Sequence, residues 1–285
     1  MKSDLAAGSL TQAVLNSFGG TQDERLRSVL SSLVTHLHAF VSEVAPTIEE
    51  WGQAVDFLTR TGHKCDDVRQ EFILLSDVLG VSMLVETIND AQTPEATDST
   101  VLGPFHMVDS PTRQRGEDIS PGSDGQACIV RGHVRSVAGT ALPGAEIDIW
   151  QADAKGFYDV QQPGVQEIGN GRGLFHAADD GGFWFRSIVP RHYPIPTDGP
   201  VGELLEATQR HPYRPAHIHF LVSAPGYKTL TTHIFVSDSP YLDSDAVFAV
   251  KPSLVRRFIT DQPTPDGAPA LSVRCDLVLA PSAAT

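Results

Sequence analysis

The hydrophobic period of the chain changes part way along. Through residues 1–91 apolar side chains recur three and four apart. Val29, Leu30, Leu33, Val34, Leu37, Phe40, Val41 and Val44 mark one stripe of a helix. The next stretch, APTIEEWGQAVDFLTRTG, carries its own boundaries: Thr47 is placed to cap, Glu49 and Glu50 fall in the first turn, and Gly62 stops the helix. DVRQEFILLSDVLGVSMLVETIN is apolar nearly all round from Phe72 to Val85, which predicts a helix buried on several sides.

From about residue 122 the period becomes two. IVRGHVRSV, AEIDIWQA, GFWFRSIV, AHIHFLVSA, TTHIFV and LSVRCDLVLA read as strands separated by Gly, Pro and Asp turns. Short strands so spaced predict an antiparallel sandwich. The segment DAQTPEATDSTVLGPFHMVDSP joins the halves as an extended, proline-stiffened connector. The expected class is α+β, with a helical domain over residues 1–100 and an antiparallel β-sandwich domain over residues 101–285.

At 285 residues the chain can bury a substantial core. Its formal net charge of −14 argues against nucleic acid or an anionic membrane surface as partner and is compatible with a small neutral substrate. No run of about 18 apolar residues predicts a membrane span, and the start lacks the apolar run of a signal peptide. Three widely spaced cysteines, Cys65, Cys128 and Cys275, form no CxxC pair and read as free, buried thiols in a reducing cytoplasm.

The candidate chemistry starts at HPYRPAHIHFLVSAPGY, residues 211–227. On a strand, positions two apart share a face, so His217, His219 and Leu221 point one way while Ile218, Phe220 and Val222 point into the core. Pro215 suits a strand's beginning. The chain supplies its own control in THLHAF, where His36 and His38 have the same spacing in the helical half. There, positions two apart lie about 200° around the axis and cannot share a ligand. The strand pair fits either a metal site or two hydrogen-bonded, non-ligand histidines. A third histidine, His176 or His233, with an open position would suit zinc, whereas two histidines and a carboxylate would suit Fe(II).

Three segments in order, DIWQADAKGFYD, RSIVPRHYPIPTDGPVG and RPAHIHF, resemble the iron-binding motifs of the intradiol ring-cleaving dioxygenases. The helical front, the STVLGPF connector and the sandwich fit the same family, so the resemblance covers most of the chain. It implies one non-haem Fe(III) per chain, held by Tyr158, Tyr193, His217 and His219. Phenolate is a hard anionic donor suited to Fe(III), and a bound cation deprotonates a ligand well below its free pKa. The resemblance further implies that Tyr193 leaves the metal and takes a proton as substrate binds, that Tyr158 stays on, and that Arg214 steadies developing negative charge. His233 stands where catechol-cleaving relatives commonly carry glutamine, and it reads as either a donor behind the ligands or a spectator.

Asp77 is the one charged residue between Glu71 and Glu86, and a carboxylate in an apolar helix is costly unless paired. It has two readings: a structural partner of an arginine, or a pocket group that accepts a hydrogen bond from a third substrate hydroxyl. The helix and the two connectors look most like the hydroxyquinol-cleaving branch. That implies O2 insertion into benzene-1,2,4-triol to give 3-hydroxy-cis,cis-muconate, the enol of maleylacetate, with catechol or a chlorocatechol as the runner-up. The pocket by this resemblance is Leu74, Asp77, Val101, Leu102, Gly103, Pro104, Phe105, Ile195, Pro196 and Arg214. A homodimer joined through the N-terminal helices, with a phospholipid held between them in some members, is implied too. A zinc lyase or hydrolase and a non-catalytic binding sandwich are the rivals from other classes.

Overall fold

The break between the two periods is visible in the element order of the computed structural model, which describes residues 7–66, 69–107, 109–263 and 269–282. Helices α1 (Ala7–Ser17), α2 (Glu24–Val44), α3 (Ile48–His63), α4 (Glu71–Val78) and α5 (Val81–Asp90) come first, and the strands follow, interrupted by α6 (Pro200–Ala207). Residues 1–6, Asp67 and Val68 of the expected helical region, and Val108 of the connector, lie outside the described residues. The chain divides into two compact units, residues 1–60 and 61–285.

In the first unit α2 starts at Asp23, whose carboxylate accepts the Leu26 N–H at 2.9 Å, and α1 packs along it. The start of α3 is the expected cap in full. Thr47 Oγ1 accepts the Glu50 N–H at 3.2 Å, and Glu50 returns a carboxylate oxygen to the Thr47 N–H at 2.7 Å. Gly62 does not stop this helix, which runs one residue past it to His63.

The apolar run after residue 70 departs from expectation. It is two short helices rather than one, because Gly80 takes a left-handed conformation (φ 73°) between them. Nor is it buried on several sides. Leu74, Leu75, Val78 and Met83 face inward, while Phe72, Ile73, Leu79, Leu84, Val85 and Ile88 are exposed. Two helices of eight and ten residues each present one inward face, so an all-round apolar composition leaves the other face bare.

Strands β1 (Ala127–Ser136), β2 (Glu146–Gln151), β3 (Arg172–His176), β4 (Gly182–Ile188), β5 (Tyr193–Pro194), β6 (Tyr213–Arg214), β7 (His217–Ser223), β8 (Leu230–Val236), β9 (Val255–Arg256), β10 (Ile259–Pro263), β11 (Pro269–Arg274) and β12 (Leu277–Leu279) make two five-stranded sheets and a small β5–β6 ladder. One sheet runs β10-β11-β1-β12 with β4 on β1, and the other runs β3-β2-β7-β8-β9. The pairing is mostly antiparallel as expected, but β1 lies parallel to β11 and β12, and β8 parallel to β9. The expected strand LSVRCDLVLA is split at Cys275–Asp276. There the Asp276 carboxylate, rather than a main-chain carbonyl, accepts the His133 N–H at 3.0 Å. Gly132 permits this crossing, since a Cβ on it would sit 1.7 Å from the Cys275 carbonyl oxygen.

Between the sheets Val130, Val134, Phe183, Phe185, Val273 and Leu277 meet Ile147, Ile149, Phe175, Ile218, Phe220, Val222 and Ile234. Burying each such side chain contributes roughly 1.5–3 kcal/mol. Strand alternation then forces the intervening residues of β2, β7 and β8 onto the outer face of the second sheet. The site is built there.

Candidate active site

On β7 the residues between the core positions are His217, His219 and Leu221, as the period of two requires. Both imidazoles are almost wholly buried, and their Nε2 atoms lie 3.1 Å apart. Register supplies their neighbours. Trp150 on β2 pairs with His219 and stacks on its ring, with centroids 4.5 Å apart and planes 14° apart. His233 on β8 pairs with His219 from the other side.

Each ring is fixed from behind. His217 Nδ1 donates to the Pro215 carbonyl at 2.7 Å, which leaves Nε2 unprotonated. His219 Nδ1 lies 2.7 Å from His233 Nε2, and His233 Nδ1 makes a short hydrogen bond with the Thr100 hydroxyl. With the protons ordered from His219 to His233 to Thr100, His219 Nε2 is unprotonated as well. Gly103 (φ 79°) lets the connector lie directly on this ring, since a Cβ there would approach His219 Cε1 to 3.1 Å.

Two tyrosines close the cluster. Tyr158 sits in the loop after β2, its N–H accepted by the Gln161 side chain at 2.9 Å and its ring stacked on Phe105 at 4.6 Å. Its hydroxyl is 3.0 Å from His219 Nε2 and 3.3 Å from the Tyr193 hydroxyl. Tyr193, on β5, lies opposite Arg214 on β6, with its hydroxyl 3.5 Å from His217 Nε2. The four donor atoms therefore form a ring with edges of 3.0 to 3.5 Å. An ion about 2.1 Å from each donor sets neighbouring donors about 3.0–3.4 Å apart, so this set fits a first-row metal.

Charge tells the same story. Burial above all pushes the pKa values of His217 and His219 well below the ordinary histidine value, helped at His217 by the Arg214 cation and at His219 by the His233 and His217 rings and then Arg214, so both rings are neutral. Burial pushes the Tyr158 phenol well up, with Tyr193 adding to the effect and Arg214 and Arg172 opposing it. A cation among these atoms reverses the balance for the phenol. His233 cannot join the same ion as His219 Nε2, because it is engaged at the far nitrogen of that ring. His176 is exposed beside Glu146, away from the cluster. His217, His219 and His233 do bring ligand atoms within 4.8 Å of one another, but His233 meets His219 at Nδ1 rather than at the Nε2 that faces Tyr158.

The pocket residues expected from sequence are partly drawn together. Arg214 is buried with Nη1 3.2 Å from His217 Nε2; Phe105 packs on Tyr158, and Gly103 on His219. Asp77 is buried in α4, and one of its oxygens, Oδ1, has no hydrogen-bond partner among the described residues. Burial raises its pKa, while Ser82 and the field of Arg214 act the other way. Leu74, Val101 and Ile195 are buried, Pro104 and Pro196 half-buried, and Leu102 exposed.

Comparison with known proteins decides the family. The family model described as "Dioxygenase" matches residues 102–281, and "Catechol dioxygenase N terminus" matches residues 23–97. The chain belongs to the intradiol ring-cleavage dioxygenases. Within that family of dioxygenases it is 52% identical over 247 residues to the 6-chlorohydroxyquinol 1,2-dioxygenase of Cupriavidus pinatubonensis, covering 87% of this chain and 89% of that one. It is 49% identical over 247 residues to the hydroxyquinol 1,2-dioxygenase of a Rhizobium species, covering 87% and 84%. The solved hydroxyquinol 1,2-dioxygenase of Pseudomonas putida superimposes with a TM-score of 0.88 at 46% identity, covering 98% of this chain and all of that one.

Sequence reading missed several members of this dioxygenase site. Trp150 lies inside a quoted motif, but only register reveals it as the platform under His219. Thr100 gives no local signal. Asp245, which grips Arg214, carries none either: it follows Asp243 in LDSD and reads as part of an acidic loop.

Proposed function

We propose that the chain is a hydroxyquinol 1,2-dioxygenase, opening benzene-1,2,4-triol with O2 between its two adjacent hydroxyl-bearing carbons to 3-hydroxy-cis,cis-muconate. Both oxygen atoms of O2 end in the product, one in each new carboxylate. The observation that carries this reading is the meeting of two tyrosine hydroxyls with two unprotonated imidazole nitrogens at 3.0 to 3.5 Å in a buried site. The relatives named above support the choice of ring.

In this reading Tyr158, Tyr193, His217 and His219 hold one Fe(III) per chain. When bound, Fe(III) supplies Lewis acidity and an electron-accepting centre that activates a catecholate ring toward O2. The protein residues do the rest. The Tyr193 phenolate oxygen would take a proton from an incoming substrate hydroxyl and become a neutral hydroxyl, while Tyr158 stays anionic between His219 and the Phe105 ring. Arg214 presents a fixed cation to the charge that develops on the substrate. Asp77, with Oδ1 free, accepts a hydrogen bond from the third hydroxyl, and Leu74, Val101, Leu102, Gly103, Pro104, Phe105, Ile195 and Pro196 wall the ring. His233 orients His219 from behind.

The reading extends to the assembly. The helical part, residues 1–100, joins two copies, and residues 101–285 carry the chemistry. The exposed stripe of Leu33, Leu37, Phe40, Val41 and Val44 on α2 supports a helix-mediated homodimer that holds a phospholipid between its helices. The chain's place is the cytoplasm, with Cys128 and Cys275 as buried free thiols and Cys65 free but, against expectation, only half-buried; among the described residues, no helix is long and apolar enough to cross a membrane.

The test is oxygen uptake by the iron-loaded protein with benzene-1,2,4-triol and with catechol, products identified and autoxidation subtracted. Strong triol preference with a maleylacetate-type product is the expected result. Catechol opened as well or better moves the assignment to the catechol branch; no ring opened removes the reading altogether.

A further inference from the structure

A buried guanidinium has five donors, and its usefulness depends on which of them are already taken. Asp245 meets Arg214 along one edge, with Oδ1 3.2 Å from Nε and Oδ2 3.5 Å from Nη2. Nη1 is left to face His217. Both partners are about as buried as side chains become, so solvent cannot substitute for either.

The carboxylate is itself held. The Val247 and Ala249 N–H groups donate to its two oxygens at 3.4 and 3.0 Å. A second arginine braces the loop. Arg210 donates to the Val78 carbonyl at 2.6 Å and to the Ala246 carbonyl at 3.0 Å, and lies over the Phe248 ring at 5.0 Å. Val78 follows Asp77 in α4, so the helix bearing one carboxylate is tied to the loop bearing the other.

Asp77 and Asp245 are thus two buried acids near one cation. Asp245 has geometry with it and backbone donors besides; Asp77 keeps an oxygen unpartnered. Building on the dioxygenase reading above, we propose that Asp245 is a positioning residue. It fixes the Arg214 fork so that Nη1 faces the ring of donor atoms, and by engaging that cation it leaves Asp77 free for the third hydroxyl of the triol.

Asp245→Asn keeps the side-chain shape and one acceptor, so it tests position rather than packing. With iron bound at one per chain and the visible absorption expected of phenolate-to-Fe(III) charge transfer unchanged, kcat for the triol is expected to fall about 10- to 100-fold, the scale of a misplaced catalytic group, with KM changing less. The preference for triol over catechol is expected to narrow, because a loosened Arg214 competes for Asp77. In an Arg214→Gln background the same change is expected to cost less than about twofold, the mark of a residue acting through another. Turnover of Asp245→Asn within twofold of the unaltered protein, or costs that simply multiply in the double variant, would overturn the proposal. A crystal structure of Asp245→Asn answers independently of turnover. A guanidinium turned away from His217 supports positioning, and one left where Asp245 held it refutes the idea. If the unaltered protein opens neither ring, the functional reading falls, and that crystal structure still decides whether Asp245 steers Arg214.

Discussion

The chain contains two histidine pairs at the same spacing, and they behave as opposites. His36 and His38 ride on α2, where the ring of His36 is exposed and His38 makes a 2.9 Å hydrogen bond with Thr11 on α1. His217 and His219 ride on β7, where the two Nε2 atoms stand 3.1 Å apart in a buried site. Residue type and spacing are identical, and only the period of the backbone differs. A two-residue step turns a helix by more than half a revolution and returns a strand to the same face. Chemistry in this protein is therefore placed by the sandwich's alternation, and the lesson applies to Trp150 and His233, set beside His219 by register alone.

The strongest way to break the comparison is to remove the strand pair. His217→Ala or His219→Ala is expected to abolish stoichiometric iron, and turnover is expected to fall more than about a thousandfold with the metal's chemistry gone. Metal analysis and oxygen uptake read this directly. Full iron in both variants would mean that the two nitrogens converge without serving as ligands. Tyr158→Phe comes next. It deletes one phenolate donor while keeping the ring against Phe105, so the visible charge-transfer band should bleach or shift, and turnover should fall about a hundredfold. An unchanged spectrum would end the role of Tyr158 as a ligand.

How far the site was legible follows from the same physics. The strands and the facing of β7 were readable because burial of one sheet face imposes strict alternation; the capping box at Thr47 was readable because it is local. The split of the helix at Gly80 and the bare faces of α4 and α5 were not, since composition reports how apolar a segment is and not how much neighbour it meets. The parallel pairing of β1 with β11 joins segments more than 140 residues apart, which no local pattern encodes. The tyrosines stand out only through their family motifs, and their mutual distance is a tertiary fact. Asp245 follows Asp243 in an acidic loop and its partner Arg214 is 31 positions away, so nothing local singles it out.

Two smaller changes sharpen what the strand contributes beyond the ligands. His233→Leu removes the group behind His219, and iron affinity is expected to weaken about 10- to 100-fold, with His233→Gln recovering much of it through a retained donor. Competition against a chelator measures both; equal affinity across the three proteins would make His233 a spectator. Asp77→Asn is expected to reduce triol turnover about tenfold more than catechol turnover, because a site built to receive a hydroxyl loses its discrimination when the acceptor is weakened. Equal losses on both rings would remove the hydrogen-bond role.

The smallest effect belongs to the helical pair, and it tests the comparison from its other side. His38→Ala deletes one part-buried hydrogen bond between α1 and α2, a contact whose net contribution is about 0.5–1.5 kcal/mol. Its urea midpoint should fall modestly, that of His36→Ala scarcely, since the His36 ring is exposed. Both variants should keep one iron per chain and the visible band of the unaltered protein. The expectation follows from geometry: two rings about 200° apart on one helix cannot address a common ion, and Thr11 already occupies one of them. Iron lost from either variant at unchanged stability would mean that the helical pair reaches the metal centre by some route, and backbone period would no longer explain why one pair binds and the other does not.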